Sequence, residues 1–163
     1  MTIRIRTPLP SDLAPVLDLV PRLRAFGGQS LRENDDLDRA ERRALESAFE
    51  QLPVGATLLV AIDENTGTVC GVAYAETEID YFTGEDYGHL AILAVSDAAE
   101  GKGVGRALIT AVEDWARAQG YRFVNLNVFD GNARARAFYE RAGYAPDMIR
   151  YAKVIAPPPS QAP

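Results

Sequence analysis

A single cysteine, Cys70, leaves this chain of 163 residues without an intrachain disulfide and without a thiolate metal site. Cys70 sits inside an apolar run and reads as inert core packing. No metal is expected. No stretch approaches the roughly 20 consecutive apolar residues that a membrane helix requires. Residues 1–6 alternate like a strand and lack the apolar core of a signal peptide, so a cytoplasmic protein with no membrane partner is expected. Basic residues are missing from the whole middle of the chain: between Arg43 and Lys102 there is no Lys or Arg, while eleven acids occur there. From Lys102 onward nine basic residues stand against five acids, so the net charge of −6 hides an acidic middle and a basic C-terminal part. Such asymmetry steers ligands of opposite sign to different parts of one surface, unless it is only a solvated acidic face. No basic stripe interleaved with aromatics is present, which excludes nucleic acid as a partner.

What is present is an ordinary globular composition, 47% hydrophobic and 25% charged, that can build a core. One domain is expected over residues 1–155, followed by a flexible Pro-rich tail, 156–163. Residues 3–6 read as a first strand. Ser11 can cap a helix with Leu13, Val16, Leu17, Val20 and Leu23 at helical spacing, kinked or split at Pro21 and ended by Gly27-Gly28. A second helix over 36–52 buries Leu37, Leu45, Ala48, Phe49 and Leu52. A hairpin follows, 57–62 and 68–78, and the loop 80–88 leads to a fourth strand over 89–95. A helix to Gln119, a strand over 122–129, a short helix over 132–142 and a last strand over 148–155 complete the chain. The order β-α-α-β-β-β-α-β-α-β predicts an α+β fold, a mixed, mostly antiparallel sheet flanked by helices.

Two segments carry chemistry. Glu100-Gly101-Lys102-Gly103-Val104-Gly105-Arg106 lies at a strand-to-helix junction. Glycines there let a ligand approach the backbone, and the unpaired N–H groups of the helix's first turn favour an anion. Lys102 and Arg106 add positive charge, which suits a phosphate or pyrophosphate. The spacing is neither that of a P-loop nor that of a dinucleotide fingerprint. The second segment is the helix opened by Asn132, an N-cap residue, with Ala135, Phe138, Tyr139 and Ala142 on one face.

Together the two segments resemble the Gcn5-related N-acetyltransferase (GNAT) superfamily. Its acyl-CoA loop follows the pattern Arg/Gln-x-x-Gly-x-Gly/Ala, matched here at Gly103 and Gly105. Its later pattern, Asn-x-x-Ala-x-x-x-Tyr-x-x-x-Gly-Phe/Tyr, is matched at Asn132, Ala135, Tyr139, Gly143 and Tyr144. Two departures stand out. Glu100 occupies the position of the usual Arg or Gln, and the fourth strand carries Ala91 and Ile92 where the family often has a carboxylate base.

The resemblance implies a GNAT-like acyl-CoA N-acyltransferase fold and direct transfer of an acetyl group from acetyl-CoA, a cosubstrate, to a primary amine. On that reading the strands splay near Leu93, Ala94 and Val95, whose backbone pairs with the pantetheine, and the Val95 N–H polarises the thioester carbonyl. Gly101, Lys102, Gly103, Val104, Gly105 and Arg106 hold the pyrophosphate, Arg134 or Arg136 reaches the 3′-phosphate, and Asn132 touches the cofactor besides capping its helix. Tyr139 donates a proton to the departing thiolate, the alternative being a buried aromatic. The acceptor amine must lose a proton. Candidates to take it are Glu76, Glu78, Asp80, Tyr81, Glu85, Asp86 and the sole histidine, His89, with Glu76 and His89 foremost. The acidic 76–86 segment suits a small cationic amine, and the loops 26–36 and 79–88 would shape its pocket. An acyl-CoA-sensing module with little turnover and a protein N-terminal acetyltransferase are the alternatives, and a homodimer is compatible with the resemblance.

Overall fold

The computed structural model describes residues 1–24 and 31–155. The Gly27-Gly28 helix stop and the tail 156–163 lie outside the described residues, as do residues 26–30 of the loop 26–36. Five strands form one sheet in chain order: β1 (Ile3–Arg6), β2 (Thr57–Asp63), β3 (Thr68–Ile79), β4 (Asp86–Val95) and β5 (Val124–Leu126). The first three pairings are antiparallel and β4–β5 is parallel. A parallel pair needs a crossover, and the intervening helix supplies it. The helices are α1 (Leu13–Leu17), α2 (Asn34–Glu50), α3 (Val104–Gln119) and α4 (Ala133–Arg141).

Each face of the sheet has its own core. On one, Val16, Leu19, Val20, Leu45 and Ala48 from the α1–α2 region meet Val60, Val72, Tyr74, Ile92 and Ala94. On the other, Leu108, Ile109 and Val112 of α3 meet Ala73, Ala75 and Leu90, with Phe138 and Tyr139 of α4 packed alongside. Cys70 is buried in this second core, its thiol pushed up in pKa by burial, as expected for a packing residue.

Pro21 splits the first helical region. Its ring clashes with the carbonyl four residues back, and α1 ends at that residue, Leu17; Val20–Arg24 continue as a 3₁₀ segment. Ser11 does not cap the helix. α1 has no side-chain cap, and the Asp12 carboxylate reaches back to the start of the preceding 3₁₀ turn, accepting from the Leu9 N–H at 2.6 Å and from both Arg6 terminal nitrogens at 2.6 and 3.1 Å. The Arg6 guanidinium and the Leu9 N–H hold this buried carboxyl below the usual carboxylate range. A folded-state pKa lower than the unfolded one contributes stability that is present at neutral pH and lost as pH falls through the lowered value. Asp12→Asn is therefore expected to cost about 2 kcal/mol at pH 7. In urea titrations the gap to the unaltered chain should close as pH drops below roughly 3.9.

Four elements differ from the sequence reading. α2 stops at Glu50, because Pro53 disfavours helix at the residue before it, and Leu52 is left exposed rather than on the inner face. β4 starts three residues early, at Asp86. The strand expected over 148–155 does not form, and Met148, Ile149, Tyr151, Val154 and Ile155 are exposed. β5 itself is only three residues long instead of spanning 122–129. So short an edge offers too few backbone groups to template an eight-residue partner.

Candidate active site

β4 and β5 pair over only three positions, Gly88 to Leu90 against Val124 to Leu126. β5 then ends while β4 runs on, leaving the β5-facing edge of β4 open from Ala91 to Val95. The divergence starts at a bulge. Tyr74 pairs with Ile92 and Ala75 with Leu90, so Ala91 is an extra residue that bends the strand. The opening thus begins two residues ahead of Leu93, where the sequence reading placed it.

The ladder decides which backbone groups line this gap. The Ser96 N–H donates to the Cys70 carbonyl at 3.0 Å, which makes Gly71 and Val95 a non-hydrogen-bonded pair. Both polar backbone groups of Val95 therefore turn away from β3 into the gap, and by alternation so do those of Leu93. Those of Ala94 turn to β3 instead, so Ala94 differs from its neighbours and has no backbone group free for a ligand there.

Past the end of β4, Gly101 and Gly103 adopt left-handed φ values of +71° and +83°. These turns aim the chain into α3, whose first-turn N–H groups at Val104, Gly105 and Arg106 have no helical partner. A Cβ on Gly105 would meet the Phe138 ring at 3.0 Å, so the missing side chain is what lets α4 close against the loop. Asn132 caps α4, its Oδ1 accepting the Ala135 N–H at 3.0 Å.

The charged side chains differ from the expected grip. Arg106 donates to the Arg141 carbonyl at 3.3 Å, and Arg136 pairs with Asp130 at 2.9 Å. Arg134 pairs with Glu100 at 2.5 Å, and Glu100 also meets Arg22. Arg22 further reaches Asp97 at 2.5 Å and the Val95 carbonyl at 3.4 Å. Arg134 and then Arg22 hold the Glu100 carboxyl below its usual range. Glu100 thus links the α1–α2 region, the glycine loop and α4.

Tyr139 lies on the α3–α4 side of the gap, beside Phe138 and Tyr144 with ring centroids 5.3 and 5.9 Å away. Burial pushes its phenol up to about 12. On the opposite face the strand register brings Glu76 directly across from His89, and His89 beside Asn125 of β5. The His89 Nδ1 lies 2.6 Å from Asn125 Oδ1. Tyr74 donates to Glu76 at 3.0 Å and Tyr87 donates to Glu78. Burial, and next the Glu76 carboxylate, push the Tyr74 phenol to about 12. Tyr87 also stacks on Phe123 with centroids 4.8 Å apart.

The remaining acidic-segment candidates stay outside this group. Asp80 accepts the N–H groups of Phe82 and Thr83 at 2.9 and 2.8 Å, closing its own loop. Tyr81 projects outward, Glu85 pairs with Arg122 at 3.1 Å, and Asp86 is exposed. Arg22 and Asn125 join the site through long-range contacts that leave no local pattern. Tyr87 was legible in principle, because Tyr87 and His89 alternate on one face of a strand.

A model of the Acetyltransferase (GNAT) family matches residues 26–144. Among solved structures, the chain is similar to a glucosamine-6-phosphate N-acetyltransferase from Arabidopsis thaliana, with TM-score 0.67 and 18% identity over 96% of this chain and 100% of that one. A ribosomal-protein-alanine N-acetyltransferase from Brucella melitensis biovar Abortus 2308 gives 0.69 and 20%, over 94% and 100%. An aminoglycoside N-acetyltransferase in complex with CoA gives 0.71 and 19%, over 95% and 96%. No curated protein sequence matches the chain. An open mixed sheet split beside its fourth strand, a glycine turn into α3 and a capped helix bearing Tyr139 fit the expected fold, and the chain belongs to the GNAT family of acetyltransferases, enzymes that transfer acetyl groups from acetyl-CoA to amines.

Proposed function

We propose that this acetyltransferase acts on a small cationic primary amine, with acyl-CoA and acceptor entering from opposite faces of the sheet. The observation that carries this reading is the gap between β4 and β5. The gap passes through the sheet, with Tyr139 on the α3–α4 side and Glu76 and His89 on the other. Acetyl-CoA supplies the acyl group as an activated thioester. The residues present fit that cosubstrate: left-handed turns, first-turn N–H groups without a helical partner and the Leu93 and Val95 N–H groups turned away from β3 all offer polar backbone to it.

Gly101 to Arg106 bind the pyrophosphate through backbone N–H groups, with Lys102 adding charge. Arg134 reaches a phosphate once it exchanges its Glu100 partner. The Leu93 and Val95 backbone holds the pantetheine amides, and the Val95 N–H stabilises the developing oxyanion. Glu76 and His89 take the amine proton, while Glu78 and the Tyr74 and Tyr87 rings favour a cation. Tyr139 donates to the leaving sulfur. A phenol near 12 facing a thiol of ordinary pKa near 8.5 would be uphill by roughly 5 kcal/mol. Burial raises a thiol as well as a phenol, so the shared dry pocket narrows this gap.

The test is a screen for CoA thiol release across cationic, neutral and acidic amines at two salt concentrations. Cationic acceptors should lead, and added salt should weaken their kcat/KM. Leading neutral or acidic acceptors, or indifference to salt, would remove the electrostatic part of the reading. Preference for peptide N-termini over small amines would point instead to a protein acetyltransferase.

A further inference from the structure

We propose that Asn125 is a positioning residue that fixes the tautomer of His89, leaving Nε2 as the open, proton-accepting nitrogen of the acceptor site. The inference rests on the site reading above and deepens it. Two hydrogen bonds lie side by side on one face of three strands, Tyr87 to Glu78 and His89 to Asn125. The Glu78 carboxylate has no proton to give, so the Tyr87 hydroxyl donates to it. The Tyr87 oxygen then has only lone pairs to offer a further neighbour, which suits the amide nitrogen of Asn125 rather than its oxygen. Asn125 Oδ1 faces His89, 2.6 Å from Nδ1. A carbonyl oxygen only accepts, so Nδ1 carries the hydrogen and Nε2 of the neutral ring keeps its lone pair. The reversed amide would set oxygen against oxygen at Tyr87.

The parts come from β3, β4 and β5, and His89 is only 9% exposed, so the ring is held rather than free to turn. Other charged and titratable groups on this side are Glu76, directly opposite, and Tyr74. Arg22 and Arg24 of the 3₁₀ segment are engaged by Glu100 and Asp38, and Glu41 lies on the inner side of α2. None of them meets Nδ1 in place of Asn125. In the transfer step an N–H bond of the acceptor ammonium breaks, and its proton bonds to the Nε2 lone pair. The imidazolium so formed keeps its Nδ1–H on Asn125, with no further reactant needed.

His89 is the chain's only histidine, so long-range ¹⁵N–¹H correlation spectra of tag-free, ¹⁵N-labelled protein report its ring alone. At pH 8 the unaltered protein should show a protonated Nδ1 and an unprotonated Nε2. Asn125→Leu should move the ring toward the Nε2–H form, and Tyr87→Phe, which frees the amide to turn, should give a mixture. An Nε2–H ring in the unaltered protein overturns the proposal whatever the variants do, as does an unchanged tautomer in a folded Asn125→Leu. The spectra need neither cosubstrate nor acceptor. Failure of the amine screen with an Nδ1–H ring therefore counts against the substrate reading, and the reverse result counts against the relay alone.

Discussion

Tyr139→Phe is expected to lower kcat about 10²- to 10³-fold, the range for loss of a positioned general acid. Affinity for CoA should stay within about twofold, because the ring keeps its packing against Phe138 and Tyr144 and only the hydroxyl is removed. Steady-state kinetics with a responsive amine, beside calorimetric titration of CoA, separate the two quantities. A variant with near-normal kcat would make Tyr139 a packing aromatic. The raised phenol adds a pH expectation. With its pKa at about 12, Tyr139 remains protonated, and so able to donate, across the usable range. Activity should rise with pH as the amine and its base lose protons, with no alkaline decline from Tyr139 short of about 12. The same shift acts on stability in the corresponding direction. A phenol whose folded pKa exceeds its unfolded value of roughly 10 contributes fully below that pH, and the contribution is lost as pH rises toward the folded value.

Gly103→Val is expected to weaken CoA binding about 5- to 30-fold. At φ +83° a β-branched side chain costs roughly 1–2 kcal/mol, which corresponds to that range in Kd if the loop relaxes and turns its N–H groups away. A Cβ there meets nothing within 4 Å, so backbone conformation rather than crowding carries the cost. An acyl-pantetheine probe without the pyrophosphate should bind the variant and the unaltered protein alike. Equal weakening for both probes, or unchanged CoA affinity, would take the pyrophosphate away from this loop.

The departures at Glu100 and on the fourth strand acquire physical meaning in three dimensions. A carboxylate in an anion-binding loop looks self-defeating in one dimension. In the fold it is matched by Arg22 and Arg134, which come from 78 residues upstream and from the start of α4. Ala91 cannot take a proton, yet as the bulged residue it opens β4 away from β5. The acid–base groups proposed above lie earlier on that strand, at His89, and across from it on β3, at Glu76.

By itself the sequence determined the order of strands and helices as far as α4, the cap at Asn132, the glycine turn into α3 and the family. These are set by local periodicity, turn chemistry and motif spacing, and they need no knowledge of distant contacts. The ends of β4 and β5, the absent strand over 148–155 and the backbone edges exposed in the gap were decided only by tertiary structure. A strand exists where a partner edge is available, and short segments such as β5 take their limits from their neighbours. The same holds for side-chain directions. Arg106 and Arg134 read alike as phosphate ligands in the sequence, but one is drawn to the end of α4 and the other to Glu100. Asn125 carried no signal at all, because its role comes from lying beside His89 across a parallel pair, a juxtaposition that only the crossover through α3 creates.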